Sequence, residues 1–227
     1  MDRLKRTVVS GLAVWLIMGA SLAFAERAKE RRTVAQIAYY FDSRQFNTAT
    51  VITSTDQLPL GFSIWGFADF HSAPKDTGER FDFNRYFIEY RLLRPLEPKW
   101  LAGLKGVGTV IEYNDLEGGE NSLVRFGVSY KRVLPWHGAW IQGRVFPLET
   151  DGNGGQAALT YCVHFTADLF ILGFIDYNWL EGGADRWVGE PQLFYKINER
   201  FTTLVEFRFN EFERHDKGLA VGIDLAF

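Results

Sequence analysis

Large apolar residues alternate with small or polar ones along much of this chain, and this period of two constrains the fold most strongly. The last ten residues, GLAVGIDLAF, are the clearest case. Leu219, Val221, Ile223, Leu225 and Phe227 fall on one face of an extended strand, because strand side chains alternate between two faces. Chain ends fray unless something ties them down. We therefore predict that this last strand is paired.

The same pattern divides the chain from about Thr33 onward into some twelve extended segments. The clearest are 84–92, 122–131, 156–166, 169–179 and 203–210. Aromatic residues make up 16% of the chain, which favours strands over helices. The sequence predicts an all-β fold of about twelve antiparallel strands.

The connections between these segments fall into two groups. Long stretches rich in glycine or charge lie at 71–80, 114–121, 148–155, 180–186 and 210–218, and mostly tight ones at 134–138, 166–168 and 198–200. The stretch at 94–104 is an exception, since it is longer than a tight turn. Long and short connections alternate, so successive hairpins close on opposite sides of one sheet. Short turns at one end and long loops at the other are typical of outer-membrane barrels.

The N-terminus carries Arg3, Lys5 and Arg6, followed by a mostly apolar run from Val8 to Ala25 that ends in Ala-Phe-Ala. This is the pattern of a secretory signal peptide. We predict a signal peptide over 1–25, cleaved near Ala25, and one domain over 26–227; a membrane anchor is the alternative. Whether residues 26–36 begin the first strand or form a short plug stays open.

The composition excludes some classes of protein. Without the three basic and one acidic residue of 1–25, the totals of 25 and 28 fall to 22 Lys and Arg and 27 Asp and Glu, a net charge of −5. Nothing in this balance indicates a nucleic-acid partner. A single cysteine, Cys162, allows no intramolecular disulfide.

A soluble β-sandwich or lipocalin-like barrel also alternates, and periodicity alone does not tell the inside from the outside. Aromatic residues recur near the strand ends on the apolar face, as interfacial girdles do: Tyr113, Tyr130, Tyr177, Trp179, Trp187 and Phe227. No continuous apolar span follows residue 25, so a membrane crossing needs strands. We predict an antiparallel transmembrane β-barrel of about twelve strands, closed by pairing of the last strand with the first.

The polar faces of the strands then line the lumen. The predicted lumen-lining or solute-contacting residues are Arg85, Phe87, Glu89, Arg91, Glu112, Arg125, Arg144, Phe174, Asp176, Glu190, Phe194, Glu206 and Arg208. Basic and acidic groups nearly balance on this face, and a general anion porin would show an excess of one sign. A balanced interior suits either a neutral polar solute or a lumen closed by its own salt bridges.

Three stretches resemble the Tsx-like family of nucleoside-specific outer-membrane channels and its uncharacterised relatives. They are AYYFDSRQFNTATVITSTDQLPLGFSIWGFADFHS at 38–72, GFIDYNW at 173–179 and GEPQLFYKINERFTTLVEFRFNEFE at 189–213. The resemblance implies a monomeric twelve-stranded barrel with a narrow pore that passes nucleosides. It rests on strand patterns, so no substrate-contacting residue is transferred from the family.

The sequence thus predicts a channel for passive diffusion of small polar solutes in the outer membrane of a Gram-negative-type bacterium, with nucleosides favoured by the resemblance alone. No cofactor, metal or catalytic residue is implied, and the expected partners are membrane lipid and the insertion machinery that recognises the final Phe227. A lipid-modifying enzyme of hydrolase or acyltransferase type and a plugged structural barrel are the alternatives. The best hydrolase candidates, His71 and Ser72 with Asp69 nearby, are adjacent in a strand and point to opposite faces.

Overall fold

The computed structural model describes residues 33–44, 46–72, 83–96, 105–116, 122–136, 138–152, 154–212 and 217–227. The predicted signal peptide and residues 26–32 lie outside this part of the chain. Among the described residues, no helix is long and apolar enough to cross a membrane.

The described residues form twelve strands and one short helical turn. The strands are β1 Thr33–Asp42, β2 Asn47–Thr55, β3 Ser63–Ser72, β4 Phe83–Pro95, β5 Val107–Leu116, β6 Leu123–Val133, β7 Trp140–Glu149, β8 Gly154–His164, β9 Leu169–Leu180, β10 Arg186–Lys196, β11 Phe201–Asn210 and β12 Lys217–Ala226, with a 3-10 turn at Pro59–Gly61. Each strand pairs antiparallel with its neighbours in the chain, and β1 pairs with β12 to close the barrel. The prediction of a closed barrel of about twelve antiparallel strands is confirmed. Because twelve is even, β1 starts and β12 ends at the same end of the barrel, here called the terminal end; the other is the distal end.

The small face of β12 allows the barrel to close. Gly222 lies opposite Tyr40, and Ala220 lies opposite Asp42. A Cβ atom added at Gly222 would lie 2.8 Å from Cδ1 of Tyr40, so the Tyr40 ring occupies the space that a larger residue needs. The alternation in GLAVGIDLAF therefore places apolar side chains outside and leaves room inside for the side chains of β1.

Burial alternates with the sequence, and the apolar face is the exposed one. In β11, Val205 and Phe207 are 42% and 44% exposed, whereas Glu206 and Arg208 are 0% and 5% exposed. A lipocalin-like soluble barrel has the reverse arrangement, with apolar residues inside and polar ones in water. This inverted burial is that of a barrel whose outer surface faces lipid.

Two of the distal connections are shorter than the sequence indicated. Residues 148–155 form a four-residue connection at 150–153, because β7 runs to Glu149 and β8 begins at Gly154. Likewise, 181–185 alone separate β9 from β10. Glycines with positive φ, such as Gly152 at 70° and Gly182 at 74°, let the chain reverse in these tight connections. The predicted contrast between long and short loops is therefore weaker in the structure than in the sequence.

A β-bulge interrupts the pairing of β6 with β7. The register shifts between Phe126 and Val128, next to Pro147 on the partner strand. A Cβ atom added at Gly127 would lie 2.2 Å from the carbonyl oxygen of Val145, a distance that no side chain tolerates. Glycine at this position is thus required by the close approach of the two backbones.

We expect Gly127→Ala to destabilise the barrel by about 1–3 kcal/mol, because the new methyl group must push the β7 backbone away. Gly143→Ala is the matched control in the same hairpin, since nothing lies within 4 Å of a Cβ atom at Gly143. Urea unfolding of the two variants in detergent micelles measures the difference. Equal stabilities would contradict the close approach at Gly127.

Candidate functional site in the barrel interior

Every predicted lumen residue lies on the inner face of its strand, as the pairing registers place them. Arg85, exposed, is near the distal end of β4, and Phe87 and Phe174 are half-buried. The others are the buried Glu89, Arg91, Glu112, Arg144, Asp176, Phe194, Glu206 and Arg208, and the part-buried Arg125 and Glu190. The structure brings most of the charged ones together in two separate groups.

The first group, here called the β4–β7 network, runs around one side of the barrel. Arg91, Glu112, Arg125 and Glu149 lie directly opposite one another on four successive strands. Arg91 Nε donates to Glu112 Oε2 at 2.8 Å, and Arg125 donates from Nη1 to Glu112 Oε1 at 2.9 Å and from Nε to Glu149 Oε2 at 3.0 Å. Arg91 also pairs with Glu89. Alternating charges on adjacent strands thus form one continuous chain of charge-assisted hydrogen bonds.

The second group, here called the β10–β1 network, is centred on Arg208 in β11. Arg208 pairs with Glu206, with Glu190 at 3.8 Å and with Asp42 at 3.6 Å, and Asp42 also pairs with Arg44 at 2.9 Å. Arg208 and Asp42 lie on strands separated by β12. The contact crosses β12 where its inner face carries only Gly218, opposite Arg208, and Ala220, opposite Asp42. The small face of the closing strand therefore lets an ion pair span the seam of the barrel.

A partly exposed strip of aromatic side chains lies on β3 and β4. We call Trp65, Phe67 and Phe87 the aromatic strip: ring centroids are 5.5 Å apart between the first two and 5.7 Å between the last two. The Arg91 guanidinium lies 4.8 Å from the Trp65 ring, so the strip adjoins the β4–β7 network. On the opposite side of the barrel, Phe174 in β9 and Glu190 in β10 are also partly exposed.

A cluster of apolar side chains lies on the inner face of β1 and of β9 to β12. Phe194 packs in a cluster with Ala38, Tyr40, Leu204 and Ala220, against which Phe170 and Leu172 lie. The Phe170 and Phe194 rings are stacked, with centroids 4.9 Å apart and planes 1° apart. Phe194 was predicted as a solute-contacting residue, and the structure places it in this packed cluster.

Sequence reasoning missed several inner-face residues. The residues absent from the predicted site are Asp42, Glu149, Trp65, Phe67 and Thr48. Of these, Thr48 is a direct partner of Arg208, which donates to Thr48 Oγ1 at 3.3 Å. Asp42 could have been predicted as an inner-face residue, because it alternates in step with Ala38 and Tyr40 along β1. Strand β3 carries aromatic residues on both faces, at Trp65, Phe67 and Phe70. Alternation alone therefore did not show which face of β3 points into the barrel.

The candidate hydrolase pair, His71 and Ser72, does not form a dyad. His71 Nδ1 lies 3.1 Å from Thr48 Oγ1, whereas Ser72 Oγ accepts a hydrogen bond from the Asn47 backbone N–H at 2.8 Å. The two side chains therefore have separate hydrogen-bond partners. Ser72 is also 1% exposed, which closes it to a substrate.

Comparison with known proteins finds similar structures but no similar sequence. No protein-family model matches the chain, and no curated protein matches it. Among solved structures, a KdgM porin superposes with a TM-score of 0.56 and 13% identity over 85% of this chain and 99% of the porin. An outer membrane channel from Pseudomonas putida F1 gives a TM-score of 0.49 and 8% identity over 86% of this chain and 95% of that one. The chain therefore shares its closed antiparallel barrel fold with a porin.

Proposed function

We propose that this protein is an outer-membrane channel through which small polar solutes diffuse passively. The observation that carries the proposal is the inverted burial of the barrel, with exposed apolar residues such as Phe207 outside and buried charged residues such as Glu206 and Arg208 inside. Only lipid around the barrel makes such an exterior favourable, and a polar interior gives hydrophilic solutes a path across it. The proposal includes a monomeric barrel, inserted by machinery that recognises the strand ending in Phe227.

Nucleosides are the solutes that we favour. The resemblance of three stretches to the Tsx-like channels supports this class, and so does the aromatic strip of Trp65, Phe67 and Phe87. Bases stack on such rings with about 1–3 kcal/mol each. Partly exposed polar side chains on the opposite side of the barrel, including Glu190 and Gln192 of β10, offer hydrogen-bond partners for a sugar.

A plugged structural barrel is the second candidate, and one specific observation favours it. Most of the charged residues of the two networks are almost fully buried, with Glu112 and Glu206 only 1% and 0% exposed. Ion pairs that bind neighbouring strands inside the lumen also narrow it. The partly exposed aromatic strip on one wall, and Phe174 with Glu190 on the other, favour a passage between the two networks.

Liposome swelling with the purified barrel distinguishes the two candidates. We expect uridine to enter faster than a disaccharide, because the passage is narrow and partly aromatic. Phe87→Ala removes one ring of the strip and should reduce the preference for uridine, whereas Phe165→Ala, an exposed residue beside the β8–β9 turn, should not. Equal entry of both solutes would contradict nucleoside selectivity. Absence of entry would contradict the channel and support the plugged barrel.

A further inference from the structure

Each of the two ion-pair networks contains more carboxylates than guanidinium groups. In the β4–β7 network, three carboxylates (Glu89, Glu112 and Glu149) share two guanidinium groups, those of Arg91 and Arg125. In the β10–β1 network, three carboxylates (Asp42, Glu190 and Glu206) share those of Arg44 and Arg208. Each network therefore contains one more carboxylate than guanidinium groups.

Further inner-face carboxylates lie outside the two networks. Within the described part of the chain, Asp69 and Asp176 form no ion pair; Asp69 only accepts a hydrogen bond from Thr50 Oγ1. The Oδ1 atom of Asp176 is buried without any hydrogen-bond partner, in a side chain that is 6% exposed. Asp224, nearer the terminal end, has an unpartnered Oδ1 as well. A buried carboxylate oxygen without a donor is costly unless water or a cation reaches it.

The matching basic residues lie elsewhere along the lumen. Arg85 and Arg186 are inner-face residues near the distal ends of β4 and β10, and Lys131 and Lys196 are near the terminal ends of β6 and β10. Among the described basic residues outside the two networks, only Arg144, which donates to Thr160 at 2.8 Å, lies near the middle. Around the middle of the barrel, carboxylates therefore outnumber guanidinium groups by three.

We propose that the channel is cation-selective, so that it passes cations and neutral solutes and excludes anions such as nucleotides. This inference rests on the proposed channel function and names its charge preference. In the narrow, low-dielectric middle of the barrel, the excess carboxylates act at close range. The basic residues at the mouths lie in water, where salt screens them over about 10 Å at 0.1 M. The charges of the inner face are therefore balanced over its whole length but negative in the middle of the barrel, which controls permeation.

The test is the reversal potential of single barrels in a planar lipid bilayer under a KCl gradient. We expect K⁺ to permeate at least about threefold faster than Cl⁻. The variant Asp69→Asn/Asp176→Asn should bring the ratio close to one, and each single substitution should lower it in part. Asp168→Asn, which removes an exposed carboxylate in the β8–β9 turn, is the matched control and should keep the original ratio.

The outcomes separate the two proposals. A conducting barrel that prefers Cl⁻, shows no preference, or keeps its ratio in the double variant would overturn the cation selectivity and leave the channel standing. A barrel that folds but does not conduct would overturn the channel, and the selectivity with it. Heat-modifiable migration in gels shows that each asparagine variant has folded before its ratio is read.

Discussion

Phe207→Arg is expected to prevent stable assembly of the barrel. Phe207 lies near the middle of β11 on the outer face and is 44% exposed to what we assign as lipid. Arginine at the midplane of a bilayer costs about 2–4 kcal/mol, which is a large part of the stability of a typical domain. We expect the variant to fold poorly into lipid vesicles, as measured by the fraction of heat-modifiable protein after refolding.

Two controls make this result specific to the lipid face. Phe207→Leu keeps an apolar residue at the same position and should assemble normally. Asn210→Arg places the same arginine on the inner face of the same strand, near its distal end, and should also assemble. If Phe207→Arg and Asn210→Arg assemble equally well, the assignment of the outer face to lipid is wrong. Glu206→Gln, an inner-face substitution, should likewise assemble, because Arg208 retains Glu190 and Asp42 as partners.

Arg91→Met is expected to destabilise the folded barrel by about 3–5 kcal/mol. Its guanidinium contacts Glu89, Glu112 and the Trp65 ring, with a side chain only 9% exposed. Removal of this cation leaves Glu89 without its partner and Glu112 with Arg125 alone. Carboxylates stranded in a low-dielectric interior are the main cause of the loss, since methionine fills much of the volume of the arginine. Urea unfolding in detergent micelles measures it.

Arg94→Met is the matched control, because Arg94 lies on the same strand but is exposed near its terminal end. It should change the free energy of unfolding by less than about 1 kcal/mol. A second variant, Arg91→Met/Glu112→Met, removes one carboxylate together with the arginine and should regain part of the lost stability. Equal effects of Arg91→Met and Arg94→Met would contradict a structural role for the β4–β7 network.

The alternation of apolar and polar residues along each segment predicted much of the fold. The segments 84–92, 169–179 and 203–210 became strands with nearly the same bounds, because a strand with one apolar and one polar face needs only its own side chains to define those faces. The closing contact of GLAVGIDLAF with the first strand was also predicted. The tight connections at 166–168 and 198–200 were predicted nearly correctly. The glycine-rich stretch 148–155 was predicted as a loop, although both of its ends continue the strands.

The candidate site, too, was predicted from the sequence only in part. The inner-face position of residues such as Arg125 and Glu206 followed from parity along their own strands. Their partners did not, because a pair such as Arg208 and Asp42 depends on the registers of β11, β12 and β1 together. A register slip of one residue turns every side chain to the other face, and no local pattern shows which carboxylate then meets which guanidinium.

The sequence by itself determined that the chain forms strands, that one face of each is apolar, and that the last strand needs a partner, since these properties belong to residues a few positions apart. The tertiary structure confirmed that the apolar face is the exposed one, and it alone decided that two ion-pair networks occupy opposite sides of the lumen and that Asp69 and Asp176 form no ion pair among the described residues. The physical reason is that burial and charge pairing depend on atoms brought together by barrel closure, from strands that are distant in the sequence.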